Sequence, residues 1–447
     1  MKRKYSIKNY TILRKSLVIG LSLLFLPLFS PMQATQENQK HTLPPPKTVD
    51  MILEQTLFRR ASIRDYSDEP VSDEDLSTIL WAAYGYRQDG TQTTPPINNV
   101  HSVHIYVLKK DGVYSYEPQN HSLILYREGD YTHSFQYDAP IQLGIVWDKN
   151  ISTNENLTAA EIGMIGQNIY LMANALDLAT LTTLGQPLSI IHLPSNEIPK
   201  IIMPLGYPKY PYDFRYKPLV FSLLPPVQLS EKSLSNILNE TRFSSSWHGT
   251  ITRQEQAQLL WSTYGYSYYL DHSEFDFIYH INRHRTVPSA HKYYPLQMYS
   301  FTASGIYKYI PNVYNPLIGP LQFLLLNISW FSYPVFTLSP KIKTGDYRNV
   351  LAQACAEPGI ATAPFIILSV LDLEKTRPVG YDDFSSSALR WLWYYEAGAS
   401  AYNVLLETTA WNLTTAIFPV VETSELCLTL ELDETLYQPL LVNPVGA

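Results

Sequence analysis

The sequence predicts an α+β fold in which a unit of helix, hairpin, strand, helix and strand occurs twice along the chain. Three observations carry that expectation. "ILWAAYGY" (79–86) returns as "LLWSTYGY" (259–266), repeating Trp81, Tyr84, Gly85 and Tyr86 as Trp261, Tyr264, Gly265 and Tyr266. "SVHIYVLKKDGVYSYEP" (102–118) is answered by "PLQMYSFTASGIYKYIP" (295–311), each alternating like a strand, turning at a glycine and ending in Tyr-x-Tyr-x-Pro. "EIGMIGQNIYLMANALDLATL" (161–181) is answered by "EAGASAYNVLLETTAWNLTTA" (396–416), with Gly163 over Gly398 and Asn168 over Asn403. Internal similarity of this kind is tested before anything else, because missing it misassigns the whole fold.

Taken in order, the chain opens on the basic stretch "MKRKYSIKNYTILRK", the apolar run "SLVIGLSLLFLPLFS" (16–30) and the small-residue site "MQA" (32–34). Residues 1–34 therefore read as a signal peptide or an N-terminal anchor, and the expected location is exported, extracytoplasmic or membrane-anchored. Between hairpin and second helix, "APIQLGIVWD" (139–148) and "APFIILSVLD" (363–372) are short apolar runs expected as buried strands. The paired helices show apolar residues at i, i+3, i+4 and i+7 around a small-residue face, which predicts close packing on a flat surface or on a twin. "IPKIIMPLGYP" (198–208) and "YQPLLVNPVGA" (437–447) close the two units. The expected domains are 47–226 and 242–447, with the polar segment 227–241 as linker. The second unit carries an apolar insertion (315–340) broken by Pro320, Asn327 and Pro334. It is expected to be a hydrophobic lid, a surface dipping into membrane, or added core.

A chain of 447 residues exceeds one ordinary hydrophobic core. Its net charge of −7 offers no basic field, which sets nucleic acid aside as a partner. Cys355 and Cys427 give no disulfide framework, and a single bridge between them stays open. Neither H-E-x-x-H nor G-x-x-x-x-G-K occurs, and no metal site is expected.

Chemistry-bearing residues stand at both ends of the first unit. Arg60, Ser62 and Arg64 alternate in "RASIR" and can point to one side of an extended segment. Arg215 and Lys217 share a face of "DFRYKPL" by the same period. Four cations and a hydroxyl suit an anion such as a phosphate, if the fold joins them.

The order of R-x-S-x-R, a Leu-Trp-Ala-Ala helix, a G-V-Y-x-Y-x-P hairpin, a G-x-x-x-Q-N helix and L-G-Y-P resembles the nitroreductase superfamily. More closely, it is similar to the SagB-type (thiazole/oxazole) dehydrogenase branch, twice over from about residue 47 to residue 447. The resemblance implies FMN held at a dimer interface, here within one chain as an intramolecular pseudo-dimer of tandem nitroreductase-like domains. It implies phosphate ligands at Arg60, Ser62, Arg64, Arg215 and Lys217, with backbone around Gly185 approaching the flavin ring. It also implies a partner-unit P-S-x segment, matched by Pro288, Ser289 and Ala290.

The two copies differ in complementary ways. "TRFSSSWHGT" keeps Arg242 and Ser244 but has Ser246 for the second arginine, and no basic pair follows the last strand. "TTPPINNVHS" has Pro96 where Ser289 stands in the other copy. One composite site is therefore expected to be kept and its mate decayed. Beside the kept site, Lys292 could stabilise negative charge on a reduced flavin, and His291 or Tyr293 could pass a proton. The Lys-Tyr pair of azole-forming members has no counterpart in "RPVGYDDFSSSALRWLWYYEAG" or "DKNISTNENLTAAEIG". Three readings stay open: an exported FMN oxidoreductase acting on a small molecule or electron acceptor, a flavin-free binding protein on a degenerate scaffold, and a peptide azoline dehydrogenase. A fused pair is expected to be monomeric, and membrane association through the leader or the insertion stays open.

Overall fold

The computed structural model describes residues 40–97, 100–210, 223–270, 283–311 and 337–447. The leader, Arg215, Lys217 and all of the 315–340 insertion except residues 337–340 lie outside the described residues. The first half runs β1 (Lys40–Thr42), α1 (Leu53–Arg59), α2 (Asp73–Tyr84), β2 (Val103–Lys109), β3 (Gly112–Glu117), β4 (Ser122–Glu128) and β5 (Ile141–Asp148). Helix α3 (Glu155–Ala175) and strands β6 (Ala179–Thr180), β7 (Thr183–Leu184) and β8 (Glu197–Gly206) complete it. The second half runs α4 (Leu234–Glu240), α5 (Arg253–Tyr264), β9 (Tyr266–Leu270), β10 (Arg283–Arg285), β11 (Leu296–Thr302), β12 (Gly305–Tyr309) and β13 (Lys341–Thr344). It continues through α6 (Arg348–Ala354), β14 (Phe365–Asp372), α7 (Arg390–Ala410), β15 (Thr414–Thr415), β16 (Phe418–Pro419), α8 (Ser424–Leu430) and β17 (Tyr437–Gly446).

Two antiparallel sheets share one strand order, apart from the added edge strand β1 in the first. The first is β1-β4-β3-β2-β5-β8-β6 and the second β13-β12-β11-β14-β17-β15, with β7 and β16 each beside the last long strand. In both, the predicted buried strand (β5 or β14) sits between the hairpin and the closing strand. Strand β4 extends the first hairpin, a partner that the expected order of elements lacks.

The repeated Trp/Tyr-Gly-Tyr segment is a helix-end device. Ser72 caps α2 by accepting from Asp75 N, and Thr252 with Glu255 forms a capping box on α5. At the other ends, Trp81 Nε1 donates to Tyr86 O at 3.2 Å and Trp261 Nε1 donates to Tyr266 O at 2.9 Å. Only glycine lets the indole pass, since a Cβ on Gly85 would lie 2.6 Å from Trp81 Cα. Tyr84 and Tyr264 reach inward instead, their hydroxyls donating to Glu161 at 2.9 Å and to Glu396.

Helices α3 and α7 are the twins the small-residue faces predicted. A Cβ on Gly163 would lie 2.0 Å from Tyr395 O, and one on Gly398 would lie 2.0 Å from Ala160 O. Gln167 Nε2 donates to Asn403 Oδ1 at 2.8 Å, and Asn168 Nδ2 donates to Tyr402 Oη at 2.9 Å, so buried amide groups of α3 are tied to α7 across the contact. One apolar core continues from Leu53 and Ile79 through both helices to Leu440 and Val445.

Segment 227–241 corrects the expectation of a polar linker. Its residues 234–240 form α4, with Leu234, Ile237 and Leu238 fully buried. Leu234, Ile237 and Leu238 stand at i, i+3 and i+4 and form one buried stripe among polar residues. Cys355 and Cys427 are both free and buried, and burial pushes their thiols up to about 12 and about 11, so the bridge left open is not made. Among the described residues no helix is long and apolar enough to cross a membrane, and no group of acidic, histidine or cysteine side chains could hold a metal ion.

A buried carboxyl pair joins the halves away from the sheets. Trp411 Nε1 lies 3.3 Å from Glu54 Oε1 and 3.0 Å from Glu407 Oε1, and neither carboxyl is exposed. Burial, then the charge of Glu54, raises Glu407 well above the usual carboxylate range. The folded state therefore holds a proton that the unfolded chain releases, so this contribution is present at acidic pH and is lost as pH rises through the folded value. Glu407→Gln is expected to make the protein more stable at pH 7, by about 1–3 kcal/mol. Thermal melting from acidic to neutral pH checks it: wild type should lose Tm as pH rises, and the variant should lose less.

Candidate functional site

A cavity of about 500 Å³ opens where the segment after α1, the β6–β7 region and α3 meet the segment after β10 and α7. That volume lies in the range of small-molecule sites. Arg60, Ser62 and Arg64 line one wall, and Pro288, Ser289, Ala290, His291 and Lys292 line another, so residues expected from opposite halves share one cavity.

Arg60 is 1% exposed at the end of α1. Its Nε donates to Arg285 O at 2.6 Å, and its guanidinium lies 5.3 Å from the Tyr170 ring centre. Arg60 Nη1 is buried with no hydrogen-bond partner among the described residues. Ser62 Oγ lies 3.1 Å from Tyr170 Oη. Arg64 is exposed, and its Nη1 donates to Ser62 O at 3.1 Å.

The other wall is backbone in an uncommon conformation. His291 (φ 50°), Lys292 (φ 61°) and Tyr294 (φ 48°) are all left-handed without being glycine, which costs energy and is typical of functional loops. His291 packs on Phe384 with ring centres 4.7 Å apart. Tyr293 corrects the sequence expectation. It does not line the cavity, its hydroxyl donates to Asp382 O at 2.9 Å, and Tyr294 lines the wall instead. Gly185 packs closely on the closing strand, since a Cβ there would lie 2.6 Å from Lys200 C. Its neighbours Leu184 and Gln186 face the cavity.

Sequence reading missed the floor. Tyr170 of α3 accepts from Thr182 N at 2.8 Å, and the hydroxyls of Tyr395 and Thr182 lie 2.8 Å apart. It also missed Arg285, half-buried with its guanidinium 4.5 Å from the ring centres of Tyr264 and Tyr294. Glu396 beneath Ser289 is pushed up to about 7 by burial, against the opposing effects of Ser289, Tyr264 and Arg285. The repeat held a signal for it, since Glu161 and Glu396 open the two matched helical segments.

Backbone register also revises the comparison of the halves. Ile63 N donates to Thr180 O, and Ser244 N donates to Thr415 O in the equivalent place. Ser244 therefore corresponds to Ile63 rather than to Ser62, and the counterparts of Arg60, Ser62 and Arg64 are Thr241, Phe243 and Ser245. Arg242 pairs with Asp89 instead. The second location thus has neither cation, and Phe243 packs in the apolar core.

A family model described as Nitroreductase family matches residues 57–207. The curated nitroreductase MJ1384 of Methanocaldococcus jannaschii is 31% identical over 185 residues, spanning 36% of this chain and 93% of that protein. A solved nitroreductase structure from Anabaena variabilis covers 90% of this chain and 93% of its own, with a TM-score of 0.59 at 14% identity. That likeness extends the shared fold over both sheets. Another, from Ralstonia eutropha, is 28% identical over 39% of this chain and 92% of its own, with a TM-score of 0.37. With 31% identity to the Methanocaldococcus relative, 93% of which is matched, and a family model whose span 57–207 holds Arg60, Ser62 and Arg64, the chain belongs to the nitroreductase family.

Proposed function

We propose that the protein is an exported FMN-dependent oxidoreductase of the SagB type, built as two tandem nitroreductase-like units that form a pseudo-dimer with one composite flavin site. The observation that carries the reading is the cavity shared by Arg60, Ser62 and Arg64 with Pro288, Ser289 and Ala290. Two guanidiniums and a hydroxyl suit a phosphate, and the unpartnered buried Arg60 Nη1 fits an anion acceptor. The aromatic floor of Tyr170 and Tyr395 and the apolar Leu181 and Ile202 suit a flat ring. When bound, FMN would supply hydride chemistry through its ring.

The chain's own residues would bind and orient. Arg60 and Arg64 would hold the anionic end, with Arg215 and Lys217 joining them on the family's pattern. Lys292 at the rim would stabilise developing negative charge, and His291 could hold a proton there. The apolar leader supports export. The absent Lys-Tyr pair argues against azoline oxidation.

Flavin content of the mature chain, residues 35–447, tests this directly. About one FMN per chain is expected by absorbance after loading. Two per chain would overturn the single-site reading, and none in excess FMN would leave a binding protein on this scaffold.

A further inference from the structure

Ser289 lines the cavity in extended backbone, and the structure fixes how its hydroxyl is used. Its Oγ donates to Glu396 Oε2 at 2.6 Å and accepts from Tyr294 N at 2.9 Å. A serine hydroxyl has one hydrogen and two lone pairs, so one lone pair is left for a ligand. Glu396 is 1% exposed, and its other oxygen accepts from Tyr264 Oη, so both of its oxygens are held by protein donors.

We propose that Glu396 is a positioning residue that sets the hydrogen-bonding polarity of the cavity wall. While its carboxylate is ionised, the Ser289 hydrogen is held inward and the wall offers an acceptor to a ligand N–H. When Glu396 takes up one proton from solvent, its carboxyl can donate to Ser289 Oγ, which frees the serine hydrogen to turn toward the ligand. This rests on the reading of the cavity as the flavin site, whose ring carries both N–H and carbonyl groups.

The surroundings fit a group meant to change state near neutral pH. Tyr264 comes from α5, Arg285 from β10, Ser289 and Tyr294 from the segment after it, and Tyr395 from the same helix as Glu396, with Arg60 acting on Tyr294 and Tyr395. Burial raises Glu396, and the neighbouring donors and Arg285 hold it at about 7. The twin carboxyl, Glu161, keeps its tyrosine but not the rest. Thr93 N donates to Gly85 O as Thr286 N donates to Gly265 O, which sets Gln92 opposite Arg285 and Pro96 opposite Ser289. The serine and the arginine therefore occur together on the side lined by Arg60 and Ser289 and are replaced by proline and glutamine on the other.

Infrared titration of the full, ligand-free chain reads the carboxyl band of Glu396, identified by its loss in Glu396→Gln. Ser289→Ala is expected to raise its midpoint by about one pH unit, because a donor to the charged form is gone. FMN is then titrated by fluorescence from about pH 5.5 to about pH 8.5, across the histidine and raised-carboxylate range. Wild-type affinity should change by up to about tenfold through the Glu396 midpoint, as linkage requires for a shift of one unit, and Glu396→Gln and Ser289→Ala should show flat profiles. Ser289→Thr, which keeps the hydroxyl, should restore the slope. A midpoint unmoved by Ser289→Ala, or the wild-type profile surviving in Glu396→Gln, overturns the proposal. A midpoint raised by Ser289→Ala, with no FMN bound by the wild type at any pH, overturns the flavin reading alone.

Discussion

Arg60→Ala is expected to weaken FMN binding by about 10- to 100-fold, the equivalent of losing one or two hydrogen bonds to a charged group. The reason is position as well as charge. Arg60 lies beneath the cavity wall at 1% exposure, between the carbonyl of Arg285 and the ring of Tyr170, with Nη1 still to be satisfied. Arg60→Lys should recover little, because an ammonium is a single point charge that cannot serve the Arg285 carbonyl and an anion in the same fixed geometry. Arg64→Ala, at the exposed edge, should cost less and should fade at high salt. Equilibrium dialysis of the three variants at two salt concentrations checks the order. Equal losses for Arg60 and Arg64 would contradict a buried anchor with an exposed helper.

The second large effect is structural. Gly398→Ala places a methyl group 2.0 Å from Ala160 O, and Gly163→Ala places one 2.0 Å from Tyr395 O. Both obstacles are backbone atoms of a packed helix, so no side chain can turn aside. Overpacking at such a contact costs about 1–3 kcal/mol and occasionally more, and here the value should lie at or above the upper end. The helices must part or shift, and Tyr170 on α3 and Tyr395 on α7 shift with them. A fall in Tm with loss of flavin binding is expected from either variant. Gly90→Ala, with nothing within 4 Å of the added Cβ but a backbone φ of 80°, separates conformational cost from crowding. It should lower Tm by less and leave flavin binding intact.

The repeat explains how much the sequence alone could say. A strand's two-residue period and a helix's capping pattern are local, so the hairpins, the central strands and the Trp/Tyr-Gly-Tyr helix ends were legible from residue order. The small faces of the long helices around Gly163 and Gly398 told that something must approach closely, and the duplication suggested what. Arg60, Ser62 and Arg64 were legible as a set because alternation along extended backbone is also local.

Register and distance were decided by tertiary structure. The match of Ser244 to Ile63 rather than to Ser62 depends on which carbonyl of the far strand each amide reaches, and near-identical serines in "FSSS" leave residue order ambiguous there. The short helix α4 is hidden in a polar stretch, because its stability comes from the partner that buries Leu234, Ile237 and Leu238. Tyr294 rather than Tyr293 faces the cavity because left-handed backbone at His291, Lys292 and Tyr294 breaks any fixed period. Glu396 becomes a group poised near neutral pH only through burial and through donors from α5 and from the segment after β10, far apart in sequence. Residue order fixed the chemistry available to this protein; long-range packing selected which groups lose their water, and desolvation gives a buried arginine or carboxyl its force.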